Sequence, residues 1–211
     1  MHDEWTKEEL EEEVIGKMRA VTIAVNHVIE GKQKVMCLDE LEKILRSAEI
    51  ISQGTCECRA RFKKCVEPMD GCLGLNDWAR ASIGRGDREV SVEEALASMK
   101  RTHEAGLVHM AYSKVGEKGI CQICSCCSCC CHTLGPVRKM GYTDQLFESA
   151  YIVALDSEKC RNCGACVNAC HFEARRMEDG MLSVDLAKCF GCGVCESRCP
   201  EGAITMVKRS I

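Results

Sequence analysis

The sequence predicts an α+β protein in two parts, a helical, cysteine-rich N-terminal region and a C-terminal domain with pseudo-two-fold symmetry. Three observations support this class. Apolar residues recur at helical spacing within the first 53 residues. The chain contains 20 cysteines. From residue 158 onward, a segment of 20 residues recurs at an offset of 29 residues, which predicts two similar structural units.

The N-terminal helices are expected within residues 1–54. Residues 6–30 predict an amphipathic helix, and residues 39–53 predict a second one. Asp39 is a suitable N-cap for the second helix, and Gly54 is a suitable end. The apolar faces of both helices favour a helical core over a partner-binding surface.

Residues 55–133 are expected to form a cysteine-rich module that binds a metal or a cluster. It contains two further predicted helices. A short helix covers about 76–83, and a longer one begins at the capping box of Ser91 and Glu94. The longer helix is expected to end at Gly106.

A linker is predicted at residues 134–149. Gly135 and Pro136 within it are typical of a break in regular structure. The domain boundary is therefore expected here, with the C-terminal domain covering residues 150–211.

The cysteine count has two possible explanations, a disulfide scaffold or metal binding. Disulfide scaffolds are typical of short secreted chains, and the acidic N-terminal segment lacks the basic and apolar stretches of a secretory signal. Adjacent cysteines and Cys-x-x-Cys spacings favour metal binding in a reducing compartment. We therefore expect a cytoplasmic protein of an anaerobic cell, because such thiol chemistry is sensitive to oxygen.

Charge and hydropathy exclude two further classes. No apolar run approaches the roughly 20 residues that a membrane span needs. The formal net charge is −4, which argues against a nucleic-acid partner. Only 4% of residues are aromatic, so we expect metal binding to contribute to the folding free energy.

The C-terminal repeat contains the spacing Cys-x2-Cys-x2-Cys-x3-Cys twice. Eight of its 20 aligned positions are identical, and four of these are cysteines. Three thiolates in a tight loop can bind three corners of an iron–sulfur cubane, and the fourth points toward the other cluster. Zinc ribbons are the alternative, and the spacing fits cubanes better. The spacing assigns Cys160, Cys163, Cys166 and Cys199 to cluster one, and Cys189, Cys192, Cys195 and Cys170 to cluster two.

These motifs resemble the two-cluster, bacterial-type 4Fe-4S ferredoxin family over about residues 150–211. The resemblance implies two [4Fe-4S] clusters and short strands flanking the cluster-binding loops. Tyr151–Leu155 and residues 203–207 would form the outer strand pair, and residues 181–184 follow an Asp-Gly turn. His171 stands where the family usually has proline, and we expect a hydrogen-bonded or solvated histidine rather than a ligand.

Twelve cysteines lie outside these two motifs. Their segment resembles the N-terminal module of ferredoxin-like proteins of anaerobes in its Cys-x-Cys-Arg start, its residues 90–109 and its Cys-x-Cys-Cys-x-Cys-Cys-Cys end. Free thiols in such numbers would oxidise easily, which favours thiols that are bound to metal. We therefore expect a third or further iron–sulfur centre, with zinc as the alternative. The candidate ligands form a first group, Cys56, Cys58, Cys65 and Cys72, and a second group, Cys124, Cys126, Cys127, Cys129, Cys130 and Cys131. The second group would complete the centre of the first or bind another.

Other residues near these cysteines have less specific interpretations. Cys37 is expected to pack as a small hydrophobic residue. His103 and His109 are expected to be ordinary surface or core histidines, and His132 is not counted as a ligand. The basic residues beside the first group would compensate thiolate charge, steer an acidic partner or form a solvated loop; they are Arg59, Arg61, Lys63 and Lys64.

The first functional hypothesis is an electron carrier with redox proteins as donor and acceptor. One alternative is the electron-input subunit of an enzyme, or a redox enzyme with a catalytic N-terminal cluster. Another is a redox or metal sensor. The sequence has no phosphate loop, dinucleotide fingerprint or nucleophile motif, which favours a carrier or subunit over a free-standing enzyme.

Overall fold

The computed structural model describes most of the chain: Thr6, Glu8 and residues 18–21, 28–29, 33–114, 119–143 and 146–209. Helices and strands are mixed along this part of the chain, which confirms the α+β class. Within the described ranges, no helix combines the length and apolar character needed to cross a membrane.

A sheet of nine described strands forms the frame of the N-terminal part. The strands are β1 (Met18–Val21), β2 (Val28–Ile29), β3 (Gln33–Met36), β4 (Ile51–Gly54), β5 (Cys72–Leu75), β6 (Arg88–Val90), β7 (Val108–Lys114), β8 (Gln122–Cys126) and β9 (Leu146–Phe147). The main path is β2-β1-β7-β8-β5-β4-β6, and β3 joins β7 to β9 beside it. Only the β3–β9 pair is parallel among these described strands. Cys72 of β5 lies opposite Cys124 of β8.

From residue 33 to 147, the described ranges contain five α-helices that accompany this sheet: α1 (Leu38–Ser47), α2 (Glu57–Phe62), α3 (Asn76–Ile83), α4 (Val92–Glu104) and α5 (Leu134–Met140). The predicted helix 76–83 and the predicted start of α4 are confirmed. The Ser91 hydroxyl accepts a hydrogen bond from the Glu94 amide at 3.1 Å, and the Glu94 carboxylate accepts one from the Ser91 amide at 2.9 Å. Helix α4 ends before Gly106, whose φ of 92° is favourable for glycine alone. Helices α1 and α4 share one apolar core with strands β4, β5 and β8.

The helix predicted over residues 6–30 is wrong at six of the eight residues of this range that the structure describes. Glu8 is helical, but residues 18–21 and 28–29 are strands β1 and β2. The rest of the predicted helix lies outside the described residues. Val21, Val28 and Ile29 are β-branched, and such residues fit a pleated sheet better than a helix.

The second predicted helix, 39–53, is correct only in its first part. Helix α1 begins after Cys37 rather than Asp39, and it ends at Ser47. Residues 51–54 form β4 instead, between β5 and β6. Ile51 is 2% exposed in this central strand. A buried apolar residue at position 51 fits the apolar spacing of a helix and that of a strand equally well. The region predicted to be helical is therefore a sheet flanked by helices.

The predicted linker at 134–149 is also wrong. Residues 134–140 form α5, and residues 146–147 form β9. Pro136 is the third residue of α5, and proline is tolerated in the first turn because its missing N–H has no partner there anyway. Leu134 is fully buried, so this segment belongs to the core.

The C-terminal domain contains two small antiparallel sheets. Strand β10 (Tyr151–Leu155) pairs with β13 (Ile204–Lys208), which confirms the predicted outer pair. Strands β11 (Arg175–Glu178) and β12 (Met181–Val184) form a hairpin around the predicted Asp-Gly turn. The short helices α6 (Ala165–Asn168) and α7 (Val194–Ser197) lie 29 residues apart, as the repeat requires. A 3-10 turn covers Leu186–Lys188.

The two parts of the chain share buried surface. Val108 and Tyr112 of β7 belong to the same apolar core as Phe190 and Val194 of the C-terminal repeat. The Phe172 and Phe190 rings stack at 4.6 Å between centroids, and Phe172 packs against that core. The cysteines of the two parts are therefore held in one continuous structure.

Candidate metal centres

The four cysteines predicted for cluster one line one cavity. They are Cys160, Cys163, Cys166 and Cys199. The last comes from the second repeat, so the cavity combines residues of both halves. Gly164 precedes α6 with a φ of 74°, which lets the chain turn sharply inside the cysteine loop.

The four cysteines predicted for cluster two line a second cavity. They are Cys170, Cys189, Cys192 and Cys195. Gly193 precedes α7 with a φ of 79°, matching Gly164 in the first repeat. Burial raises the pKa of the Cys195 thiol to about 12, so the metal-free thiol is neutral near pH 7. Metal binding at this site therefore releases protons.

A buried arginine lines the cluster-two cavity and is also close to Cys166 of cluster one. Arg175 is 4% exposed, and its Nε and Nη2 atoms have no hydrogen-bond partner among the described residues. Burial alone would lower its pKa, but Cys195, Cys170, Cys189 and Cys166 together raise it. A permanent cation here fits metal-bound thiolates on both sides, because a buried charge needs a compensating one.

Gly191 is essential to the cluster-two loop. A Cβ at this position would lie 1.9 Å from the Tyr151 carbonyl oxygen, and its φ is 72°. We expect Gly191→Ala to lower the melting temperature and the iron content together, because the loop must move to relieve this clash. Gly180→Ala is the matched control, since φ is 78° there and no atom lies within 4 Å of the added Cβ. In that control, the free energy of unfolding should fall only by the backbone cost of about 1–2 kcal/mol. Equal losses of stability and iron in both variants would contradict this account.

His171 connects the C-terminal domain to the cysteine-rich module. Its Nε2 donates to the Gly106 carbonyl at 2.8 Å, and its Nδ1 lies 3.1 Å from the Ser128 hydroxyl. The carbonyl can only accept, so the proton is on Nε2 and the hydroxyl donates to Nδ1. His171 is therefore hydrogen-bonded, as expected for a histidine that is not a ligand.

Four thiols in the cysteine-rich module converge, and we call them the four-thiol site. The Sγ atoms all lie within 4.8 Å of one another and belong to Cys65, Cys127, Cys129 and Cys130. The Sγ atom of Cys65 lies 3.8 Å from that of Cys127 and 4.0 Å from that of Cys130. A tetrahedral ion with metal–sulfur bonds of about 2.3 Å holds its sulfurs about 3.8 Å apart. A cubane binds each thiolate at a separate iron and spreads the sulfurs further.

The other six predicted cysteines line a separate cavity of about 430 Å³, which we call the six-thiol cavity. They are Cys56, Cys58, Cys72, Cys124, Cys126 and Cys131. The cysteines that lie together in the structure thus differ from the two groups that were predicted from their order in the sequence. Cys65 leaves the first group and joins three cysteines of the second. The pairing of β5 with β8 explains the exchange, because it places Cys72 opposite Cys124 and so brings the two cysteine segments together.

Arg59 is buried between the four-thiol site and the six-thiol cavity. It is 2% exposed, and its guanidinium donates to the Ser125 carbonyl at 2.8 Å and to the Pro68 carbonyl at 2.6 Å. Burial opposes its charge, but Cys56, Cys127 and Cys72 raise its pKa. Among the described residues it forms no ion pair with a carboxylate. Of the four basic residues near this segment, Arg59 is the buried one that can compensate thiolate charge.

Two histidines that were expected to be ordinary surface or core residues lie in the core, close to the C-terminal repeat. His103 and His109 are both buried, and their rings stack with centroids 5.4 Å apart. The His103 ring lies beside Gly193, and His109 Nδ1 lies 3.1 Å from the Ser125 hydroxyl. Burial, followed by the charge of His103, lowers the pKa of His109 to about 3, so this ring is neutral near pH 7. Only the three-dimensional fold reveals this pair, because the ring contact depends on how α4 packs against β7.

Cys37 and His132 complete the set of residues considered from sequence. Cys37 is 3% exposed at the start of α1, which agrees with its expected packing role. His132 Nδ1 lies 3.3 Å from the Cys58 sulfur, at the wall of the six-thiol cavity.

The C-terminal cavities and the cysteine spacing define an iron–sulfur binding domain, and comparison with known families agrees. The family described as 4Fe-4S dicluster domain matches residues 159–204, which include all eight cysteines of the repeat. This match confirms a ferredoxin-like iron–sulfur domain at this end of the chain. A comparison with curated proteins found no match.

Proposed function

We propose that the protein transfers electrons with two [4Fe-4S] clusters in its C-terminal domain. Cluster one is bound by Cys160, Cys163, Cys166 and Cys199, and cluster two by Cys170, Cys189, Cys192 and Cys195. The observation that supports this most strongly is the pair of cavities in which each set of four cysteines draws its fourth member from the other repeat. Cys-x2-Cys-x2-Cys-x3-Cys runs bind clusters in this exchanged manner.

The protein residues around these sites supply binding and electrostatics. A bound [4Fe-4S] cluster would provide one-electron redox chemistry. The cysteine thiolates hold it, and the guanidinium of Arg175 offsets their negative charge from a fixed, buried position. Apolar residues such as Val153 and Ile204 keep water away from the thiolates, and such burial influences the potential.

We propose that the four-thiol site holds a third centre, a single tetrahedral metal ion. The sulfur–sulfur distances of 3.8–4.0 Å support one ion over a cubane. Iron and zinc both accept this tetrahedral sulfur geometry. The four-thiol site groups Cys65 with cysteines of the 124–131 run, the run that was expected either to complete the centre of the first group or to bind another.

Redox proteins are the proposed donor and acceptor. Cys163 of cluster one is exposed, and so is Cys129 of the four-thiol site. A partner protein could therefore approach either site. The alternatives of a redox enzyme, its electron-input subunit or a sensor differ from a carrier because each needs a substrate or a downstream response in addition to electron exchange.

The test uses full-length protein purified without oxygen. We expect about eight irons bound at the C-terminal domain and reversible uptake of about two electrons there when the protein is titrated with dithionite. Reduced protein should then pass these electrons to an oxidised cytochrome. Cys163→Ser should weaken cluster one, whereas Cys37→Ser should leave iron and electron uptake unchanged. Failure to take up and release electrons would overturn the proposal, and catalytic consumption of a small molecule by the isolated chain would favour an enzyme.

A further inference from the structure

The six-thiol cavity is not explained by the C-terminal clusters or by a metal ion at the four-thiol site. Its six cysteines belong to α2 and the residue before it, to β5, to β8 and to the segment after β8. We propose that this cavity holds a polynuclear iron–sulfur cluster, separate from the four-thiol site. This inference deepens the proposed function and rests on it for the source of electrons.

The number and arrangement of the thiols favour more than one metal ion. Cys72 lies opposite Cys124 across the β5–β8 pair, and both line the cavity. Cys56 and Cys58 line it from the start of α2, and Cys126 and Cys131 line it from the end of β8 and the segment that follows. A single tetrahedral ion binds four thiolates. Six thiols around one cavity therefore fit a centre that contains several metal atoms.

The charge around the cavity fits bound thiolates. Arg59 lines the cavity and is 2% exposed. A cation buried so deeply needs anions nearby, and thiols provide none until they lose their protons. Within the described part of the chain, no carboxylate pairs with Arg59. Metal binding deprotonates cysteine, so a metal centre supplies the negative charge that Arg59 lacks.

The position of the cavity favours iron–sulfur chemistry over a zinc cluster. Ser125 lies between the cavity cysteines Cys124 and Cys126, and its hydroxyl is 3.1 Å from His109. The ring of His103 stacks on His109 and lies beside Gly193, where an added Cβ would be 3.6 Å from His103 Cε1. Gly193 lies between two cysteines of cluster two. A short buried path thus joins the cavity to the redox domain. Zinc has no redox chemistry and would make no use of such a path.

The two N-terminal sites adjoin each other. Cys127 of the four-thiol site also lines the six-thiol cavity, and Arg59 is close to both. The test must therefore remove each site separately. It uses full-length chain purified without oxygen, with iron, zinc and acid-labile sulfide measured per chain.

Three variants separate the sites. The pair C58S/C126S removes one cysteine from α2 and one from β8, both of them confined to the six-thiol cavity. The pair C65S/C129S removes two ligands of the four-thiol site. C121S is the matched control, because Cys121 is buried in the same segment but lines neither site, and its thiol donates to the Tyr112 carbonyl.

We expect the wild-type chain to contain about 12 or more irons with matching sulfide. C58S/C126S should contain about eight or nine irons per chain and should lack the acid-labile sulfide of the additional cluster. C65S/C129S should lose one metal ion and no sulfide. C121S should match the wild type. A wild-type content of about eight or nine irons, with or without zinc, would overturn the inference even if a variant fails to fold. Retention of all iron and sulfide in C58S/C126S would also overturn it.

Failure of the proposed function would look different. In that case the dithionite titration would show no reversible electron uptake at the eight C-terminal cysteines, whatever the N-terminal iron content. If only the further inference fails, the C-terminal domain still takes up about two electrons and the additional iron and sulfide are missing.

Discussion

Replacing Arg59 by methionine is expected to lower the apparent free energy of unfolding by about 3–5 kcal/mol, because it leaves buried thiolates without their cation. Methionine has a similar length and keeps most of the packing. It loses the hydrogen bonds to the Ser125 and Pro68 carbonyls as well as the charge. Denaturant unfolding of the anaerobically purified, metal-loaded protein measures the change.

Two further variants separate the contributions of Arg59. Arg59→Lys keeps the charge but cannot donate to both carbonyls as arginine does. Its apparent free energy of unfolding should therefore lie between those of the wild type and Arg59→Met. Arg61→Met is the control, because Arg61 lies on the same helix with its side chain exposed and its charge above the Phe62 ring. A loss for Arg61→Met as large as for Arg59→Met would show that burial of the charge is unimportant.

Replacing Arg175 by methionine is expected to lower the reduction potentials of both C-terminal clusters. Reduction adds negative charge, and a fixed cation stabilises the reduced form. At an effective dielectric constant of about 20, a unit charge roughly 6–12 Å away contributes about 1.4–2.8 kcal/mol, or about 60–120 mV for one electron. A redox titration followed by electron paramagnetic resonance measures the shift.

The neighbouring residue provides the control for Arg175. The side chain of Arg176 is 57% exposed and its Nε lies 2.5 Å from Glu178. Solvent screens an exposed charge, so Arg176→Met should shift the potentials by less than about 20 mV. Equal shifts in both variants, or a rise in potential for Arg175→Met, would contradict the electrostatic role assigned to Arg175.

The parts of the structure that local sequence determines were predictable. The capping box of Ser91 and Glu94 identified the start of α4, because its hydrogen bonds form within one turn. The exchanged grouping of the eight C-terminal cysteines was predictable, because in two-cluster ferredoxins the fourth cysteine of this spacing binds the other cluster. The match to a 4Fe-4S dicluster domain over residues 159–204 agrees with that spacing.

The parts that depend on distant pairing were not predictable. Ile51 fits a helical pattern, and it became a strand residue because β5 and β6 were available on both sides. Cys65 lies 62 positions before Cys127, so no local spacing could pair them. The same limit applies to Arg59, whose role is visible only when Ser125 and the thiols of two segments surround it.

The separation of the N-terminal cysteines along the chain has a consequence for biosynthesis. The four-thiol site and the six-thiol cavity each combine cysteines before residue 73 with cysteines after residue 123. At about 5–20 residues per second, a ribosome needs roughly 2–10 seconds to translate from Cys72 to Cys121. During that interval the first four thiols have emerged or are emerging without their partners. Metal insertion into either site must therefore follow translation of β8, and a nascent chain arrested before that strand presents cysteines to the cell with no pocket to receive a metal.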